Sequence, residues 1–204
     1  MSKIISSPIP RVALLIETTR SYTRDILSGV RSFLAVHGPW SCFVELRAFD
    51  SIPPPWLKTW RGDGILTRTH TQEMADLLAA TGIPTVELRS TDILHPFPFI
   101  GMDNRLIGRS VADHFLTRGY RHFAAYTIDN ESFFRERNEN FIEAVSDAGC
   151  ACPTLATKEN TSHLDWETEQ SRLEDWLTQL PKPLGLFATS DALGVRVLDA
   201  CQRA

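Results

Sequence analysis

A chain of 204 residues with 43% hydrophobic and 23% charged residues can bury one sizeable core or two small ones and still meet water with a charged surface. Its 21 basic residues against 25 acidic ones give a formal net charge of −4, so the chain offers no bulk positive field to a nucleic-acid backbone. No apolar run approaches the roughly 20 residues of a membrane helix. The start MSKIISSPIP lacks the apolar core of a secretory signal.

Taken in order, a short tail over residues 1–10 leads into "RVALLIET", a continuous apolar run of strand length. "RDILSGVRSFLAVHG" then puts Ile26, Leu27, Val30, Phe33 and Leu34 on one helical face, with Gly38 closing it. "WSCFVELRAF" alternates like a strand, "PPPWLKTW" opens a short helix behind prolines, and "GDGILTRT" is a third strand. "TQEMADLLAATG" is a helix with Thr71 as its cap and Gly82 as its stop, and "IPTVELRS" and "PFPFIGMDN" are two further strands. An amphipathic helix beginning near Arg105 ends at Gly119. The alternation continues through strand "RHFAAYTI", helix "FRERNENFIEAVSDAG", extended "CPTLAT", helix "WETEQSRLEDWLTQL", strand "LGLFATSD" and helix "ALGVRVLDACQRA".

Strands this apolar, alternating strictly with helices, predict an α/β architecture of parallel sheets with helices on both faces. The first strand runs into "ETTRSYTRD" with no glycine before the helix, so a nucleotide cofactor loses its main support, and no cofactor is expected. The histidines show no metal-ligand spacing, and Cys42, Cys150, Cys152 and Cys201 match neither a zinc-knuckle nor a thioredoxin pattern. No metal is assigned. Reduced thiols in a cytoplasmic protein are the expectation.

Ligands of open parallel sheets lie beyond the carboxyl ends of the strands. The corners to watch are therefore Thr18, Thr19, Arg20 and Tyr22; Arg68 and Thr69; Asp103 and Asn104; residues 129–137; and Ser190 with Asp191. Carboxylates, hydroxyls, amides and guanidinium groups with a few aromatics suit a small polyhydroxylated molecule, because each hydroxyl both donates and accepts.

At these corners the residues resemble a known family. "GMDNRLIGRSVADHFLTRGYRHFAAY" resembles the stretch of lac-repressor-like sensor domains, relatives of periplasmic sugar-binding proteins, in which the chain passes from the first lobe to the second. "RERNENFIEA" is similar to the family's next signature, an arginine four positions before an aromatic residue, and "GLFATSDALGVRVLDAC" to a later one. Two positions depart from the pattern: Ile107-Gly108 stands for a glycine pair, and Asn140 for the glycine before the aromatic. Because the first sensor strand begins at about residue 11, the chain more closely resembles xylose operon regulators, which carry an AraC-type pair of helix-turn-helix motifs after the sensor.

The resemblance implies a two-lobed, periplasmic-binding-protein-like (type I) sensor with a first lobe over 11–119 and an incomplete second lobe over 120–204. It also implies a sugar effector, xylose by subgroup, DNA contact through a carboxyl-terminal domain absent from this chain, a homodimer, no membrane partner and no enzymatic activity. Ligand-driven lobe closure would control the DNA-binding domain. The ligand-binding residues it implies are Thr19, Arg20, Tyr22, Asp103, Phe134, Arg137, Ser190 and Asp191.

Each has a plainer reading. Asp103 and Ser190 with Asp191 fit helix caps, Arg137 a solvated helix arginine paired with Glu136 or Glu139, and Phe133 and Phe134 core anchors. The rival class is a sugar-processing α/β enzyme with Asp103 or Asp191 as base, which turnover would distinguish. A transport-associated binding protein is disfavoured by the missing signal sequence.

Overall fold

The computed structural model describes residues 9–45, 52–157 and 163–203. Chain order is β1 (Arg11–Leu15), α1 (Ser21–His37), β2 (Ser41–Val44), a short 3₁₀ helix (Pro55–Thr59), β3 (Gly64–Thr67), α2 (Gln72–Thr81), β4 (Thr85–Glu87), α3 (Asn104–Thr117), β5 (His122–Ile128), α4 (Ser132–Asp147), β6 (Thr154–Thr157), α5 (His163–Gln179), β7 (Leu184–Ala188) and α6 (Asp191–Arg203). Two compact units divide between Gly101 and Met102.

The first unit holds a parallel sheet of order β2-β1-β3-β4. Its central strand β1 reads as an unbroken apolar run because both faces are covered. Ala13 and Leu15 pack with Ile65, Leu57, Met74 and Leu78 on the α2 side. Val12, Leu14 and Ile16 meet Ile26, Leu27 and Val30 of α1 on the other. Helix α2 starts and stops as its sequence predicts: Thr71 Oγ1 accepts from Met74 N at 3.2 Å, and Gly82 takes the left-handed conformation at φ 65°. The tryptophans Trp56 and Trp60 pack against the α2-side cluster.

The second unit holds a parallel sheet of order β6-β5-β7. Phe123, Ala125 and Phe187 face α3 and α4, where Ala112, Phe141, Ala144 and Val145 complete one core. Tyr126 and Ile128 face α5 and α6, where Leu173, Leu177, Leu193, Val197 and Ala200 form another.

Four features differ from expectation. Helix α3, assigned by sequence to a first lobe ending at residue 119, packs in the second unit against α4 and β5, with Ile107, Val111 and Phe115 on the Phe123–Phe141 core. The strand expected over "PFPFIGMDN" contracts to one parallel bridge between Phe99 and Glu87, since Pro96 and Pro98 have no N–H to donate. Helices α1 and α4 each begin two or three residues before their predicted starts. Strand β2 ends at Val44, with Glu45 outside it; residues 46–49 of its expected span, like residues 1–8 of the tail, lie outside the described residues.

No helix among the described residues is long and apolar enough to cross a membrane. The four cysteines are unpaired thiols, and burial pushes Cys152 up to about 11. A thiol so shifted carries almost no thiolate at neutral pH.

Candidate functional site

Each unit gathers buried polar groups at the carboxyl end of its own sheet, the edge where parallel sheets receive ligands. In the first unit Glu17 stands just past β1, Arg68, Thr69 and His70 past β3, and Glu87, Leu88 and Arg89 at the end of β4. Glu17 is 2% exposed. Arg68 Nε donates to both of its carboxylate oxygens, at 3.0 and 3.1 Å, and His70 Nε2 lies 3.6 Å from Oε2. Arg68 also donates through Nη1 to the Leu88 carbonyl at 3.1 Å, so one guanidinium joins the ends of β1 and β4.

Glu87 is fully buried and binds main chain. Its side chain accepts from the backbone N–H groups of Thr69 (3.1 Å), Leu88 (3.1 Å) and Arg89 (2.9 Å). The Arg89 side chain returns a bond from Nη1 to the Thr69 carbonyl at 2.7 Å. The loops after β3 and β4 are therefore held to each other by two side chains.

Burial by itself would raise the Glu17 carboxyl. The His70 contact, the Arg68 charge and hydrogen bonds from the backbone and Arg68 outweigh it and hold the group at about 2, against an ordinary 4.5. A folded value below the unfolded one means stability that is complete above about pH 5 and drains away as pH falls through about 2, on the order of 3 kcal/mol in all. Glu17→Gln should therefore be less stable than wild type at pH 7, by a margin that closes as pH falls to 2. Thermal unfolding across that range checks this. Parallel loss of stability in the two proteins would remove Glu17 as the cause.

Arg68 and Thr69 are both corner residues singled out by sequence. Of the ligand-binding residues the resemblance implies here, Tyr22 lies in this cluster: its ring sits 5.3 Å from Arg68 Cζ, and it is 39% exposed. Thr19 and Arg20 are exposed at the mouth of α1. Their carbonyls accept from Arg24 Nη1 at 3.2 Å and Thr23 Oγ1 at 2.8 Å, fixing the loop's course.

In the second unit Arg137 is the hub. Its Nε donates to Asn104 Oδ1 at 2.9 Å, its Nη1 to the Thr189 carbonyl at 3.1 Å, and its Nη2 points to Met102 Sδ at 3.9 Å. The Phe133 ring lies 5.2 Å from its Cζ. Asn104, 4% exposed, donates from Nδ2 to Glu136 Oε2 at 3.0 Å. Beneath them Thr127 and Thr189 share a hydroxyl contact of 3.0 Å.

Asp103 takes up the capping role: its Oδ1 accepts from Leu106 N at 2.8 Å, and the residue is exposed on the second unit, not the first. Ser190 Oγ lies 3.4 Å from Leu193 N at the start of α6, and Asp191 is the exposed first residue of that helix. Phe134 packs half-buried against the Tyr126–Leu193 core, while Phe133 is the aromatic beside Arg137.

Sequence reasoning passed over Glu17, Glu87, Arg89 and Thr189, and reached Asn104 only as a corner. A signal was present for the two glutamates: each sits inside or against an apolar strand run, and a carboxylate there must be partnered if it is buried. Among the described residues no group of three or more His, Cys, Asp or Glu side chains could hold a metal ion. These clusters offer fixed donors and acceptors, the chemistry of polyol recognition.

Comparison with known proteins bears on the fold. The family model described as a periplasmic binding protein-like domain matches residues 112–204. The chain is 29% identical to the xylose operon regulatory protein of Escherichia coli (strain K12) over 94% of its own length and 50% of that protein's. Among solved structures, that of a xylose-binding transcription activator aligns with a TM-score of 0.78 and 25% identity, covering 97% of this chain and 51% of that one. A periplasmic ribose ABC transporter structure from Conexibacter woesei aligns with a TM-score of 0.77 at 17% identity, covering 96% and 68%. The fold is therefore periplasmic-binding-protein-like, and the chain resembles xylose operon regulators along nearly its whole length. The chain spans about half the length of the curated relatives it matches.

Proposed function

We propose that this chain is the effector-binding part of a sugar-responsive, non-enzymatic transcription regulator, with xylose as the leading effector. The observation that carries the reading is the held guanidinium of Arg137 at the carboxyl end of a parallel sheet, in a chain similar throughout to xylose operon regulators. In this reading the protein works in the cytoplasm as a homodimer and contacts DNA through helix-turn-helix motifs outside these residues.

Signalling then needs no bond-making. A sugar that binds one conformation better than another shifts the population by its differential affinity. Inverting a 1:99 balance takes about 5.5 kcal/mol, which several hydrogen bonds to buried polar groups supply. Of the two bases an enzymatic reading offers, Asp103 is engaged in capping α3 and Asp191 is the exposed first residue of α6.

Titration calorimetry of the whole protein against pentoses and hexoses tests the proposal. Saturable binding of one sugar, recovered unchanged, is the expected result. Arg137→Ala should weaken it on the order of 100-fold, the loss of charged hydrogen bonds worth about 1.5–3 kcal/mol each. No binding by any sugar, or conversion of the sugar to product, would reject the sensor.

A further inference from the structure

We propose that Asn104 is the positioning residue for effector recognition: it sets the plane of the Arg137 guanidinium without touching the effector. The proposal rests on the sensor reading and adds a residue that decides how well the site binds.

The carboxamide of Asn104 is buried, and both its ends are committed. Its oxygen takes the Arg137 Nε–H at 2.9 Å and its nitrogen gives to Glu136 Oε2 at 3.0 Å. The orientation follows from chemistry: a guanidinium only donates and a carboxylate only accepts, so the oxygen must face Arg137 and the NH₂ must face Glu136. Asparagine is the short side chain that meets both demands. Aspartate would accept from Arg137 but set its second oxygen against the Glu136 carboxylate, and alanine would leave both neighbours without this partner.

What Asn104 holds is an orientation. An arginine side chain loses considerable rotamer freedom when it is fixed, and a ligand that must fix it pays for that ordering out of its own affinity. Here the Nε–H bond to α3, the Nη1 bond to the end of β7 and the Phe133 ring beside the guanidinium fix it in advance. Asn104 contributes the bond at Nε, the atom nearest the flexible stem, and so governs the tilt of the whole fork.

The test combines D-xylose titration with NMR of protein labelled with ¹⁵N at arginine, the Arg137 Nε–H being assigned by its loss in Arg137→Lys. Asn104→Ala is expected to weaken xylose about tenfold and to change it less than about twofold when Arg137 is already lysine, because the two act as one unit. The Arg137 Nε–H, slow to exchange in the wild type, should exchange rapidly in Asn104→Ala. Asn104→Asp should behave like Asn104→Ala, and N104D/E136Q should restore affinity, since the donor and acceptor are merely swapped across the same pair. Equal weakening of xylose by Asn104→Ala in both backgrounds, an unchanged Nε–H, or failure of the swap to rescue would overturn the proposal. Absence of xylose binding in the wild type rejects xylose as the effector; the Nε–H measurement then decides by itself whether Asn104 holds Arg137.

Discussion

Replacing Glu87 with alanine is expected to destabilise the first unit by on the order of 4 kcal/mol, among the larger effects available to a single substitution in this chain. The side chain is fully buried and accepts from three backbone N–H groups, those of Thr69, Leu88 and Arg89. Leu88 N keeps the Thr67 carbonyl at 2.8 Å, but Thr69 N and Arg89 N lose the carboxylate in a place that has exchanged water for protein, at about 1–3 kcal/mol for each one that no water reaches. The main chain at the same residue is also engaged, Glu87 N donating to Pro98 O and Glu87 O accepting from Ile100 N, each at 2.9 Å. Loosening here therefore frays the last pairing of the sheet as well as both loops. Glu87→Gln keeps one accepting oxygen and should cost roughly half as much. Urea unfolding of the two variants checks the ranking. If Glu87→Ala unfolds within 1 kcal/mol of wild type, water satisfies those donors and the clamp is not structural.

The same substitution should weaken sugar binding, because Arg68 and His70 follow the strand whose loop Glu87 holds. This effect is indirect, and Glu17→Gln provides the contrast. Glu17 partners the Arg68 guanidinium itself at 3.0 Å, while the loop bonds to Glu87 stay in place. Loss of affinity greater than loss of stability in Glu17→Gln would place Arg68 close to the effector.

Much of this fold is legible in the sequence because its signals are local. Strand β1 reads as doubly covered from its unbroken apolar run, and α2 from a threonine cap and a glycine stop. The partnership of α3 was not legible. Its apolar residues Ile107, Val111 and Phe115 would cover either sheet equally well, and periodicity does not name the sheet. What decides is its other stripe, Asn104, Gly108 and Ala112, buried at four-residue intervals and small enough for α4 to approach. The same limit applies to the site. Arg137 could be found because it stands in a signature, but its holders belong to other elements: Asn104 lies 33 positions away and Thr189 52. Glu17 and Glu87 are single charges in apolar strands, and only tertiary structure shows which groups meet them.

The second large effect is expected at Gly108. A Cβ built there would run into the Arg137 carbonyl oxygen and stand 2.8 Å from Phe141 N and 3.2 Å from Asn140 C, all backbone atoms of α4 that no rotamer change can move. Gly108→Ala must therefore push α3 and α4 apart, and overpacking of this kind costs on the order of 3 kcal/mol even though alanine is the better helix former. Separation would also stretch the Asn104–Arg137 bond, which spans the same two helices one turn away, so sugar affinity should fall with stability. Gly29 is the internal control. It lies mid-helix in α1, a Cβ there meets nothing within 4 Å, and Gly29→Ala should stabilise by about 0.5–1 kcal/mol. Thermal unfolding and sugar titration of the two variants should move in opposite directions in stability, with affinity lost only for Gly108→Ala. Tolerance of alanine at Gly108 would mean that α3 and α4 can separate freely, and the close approach that carries Asn104 to Arg137 would not be what orders this site.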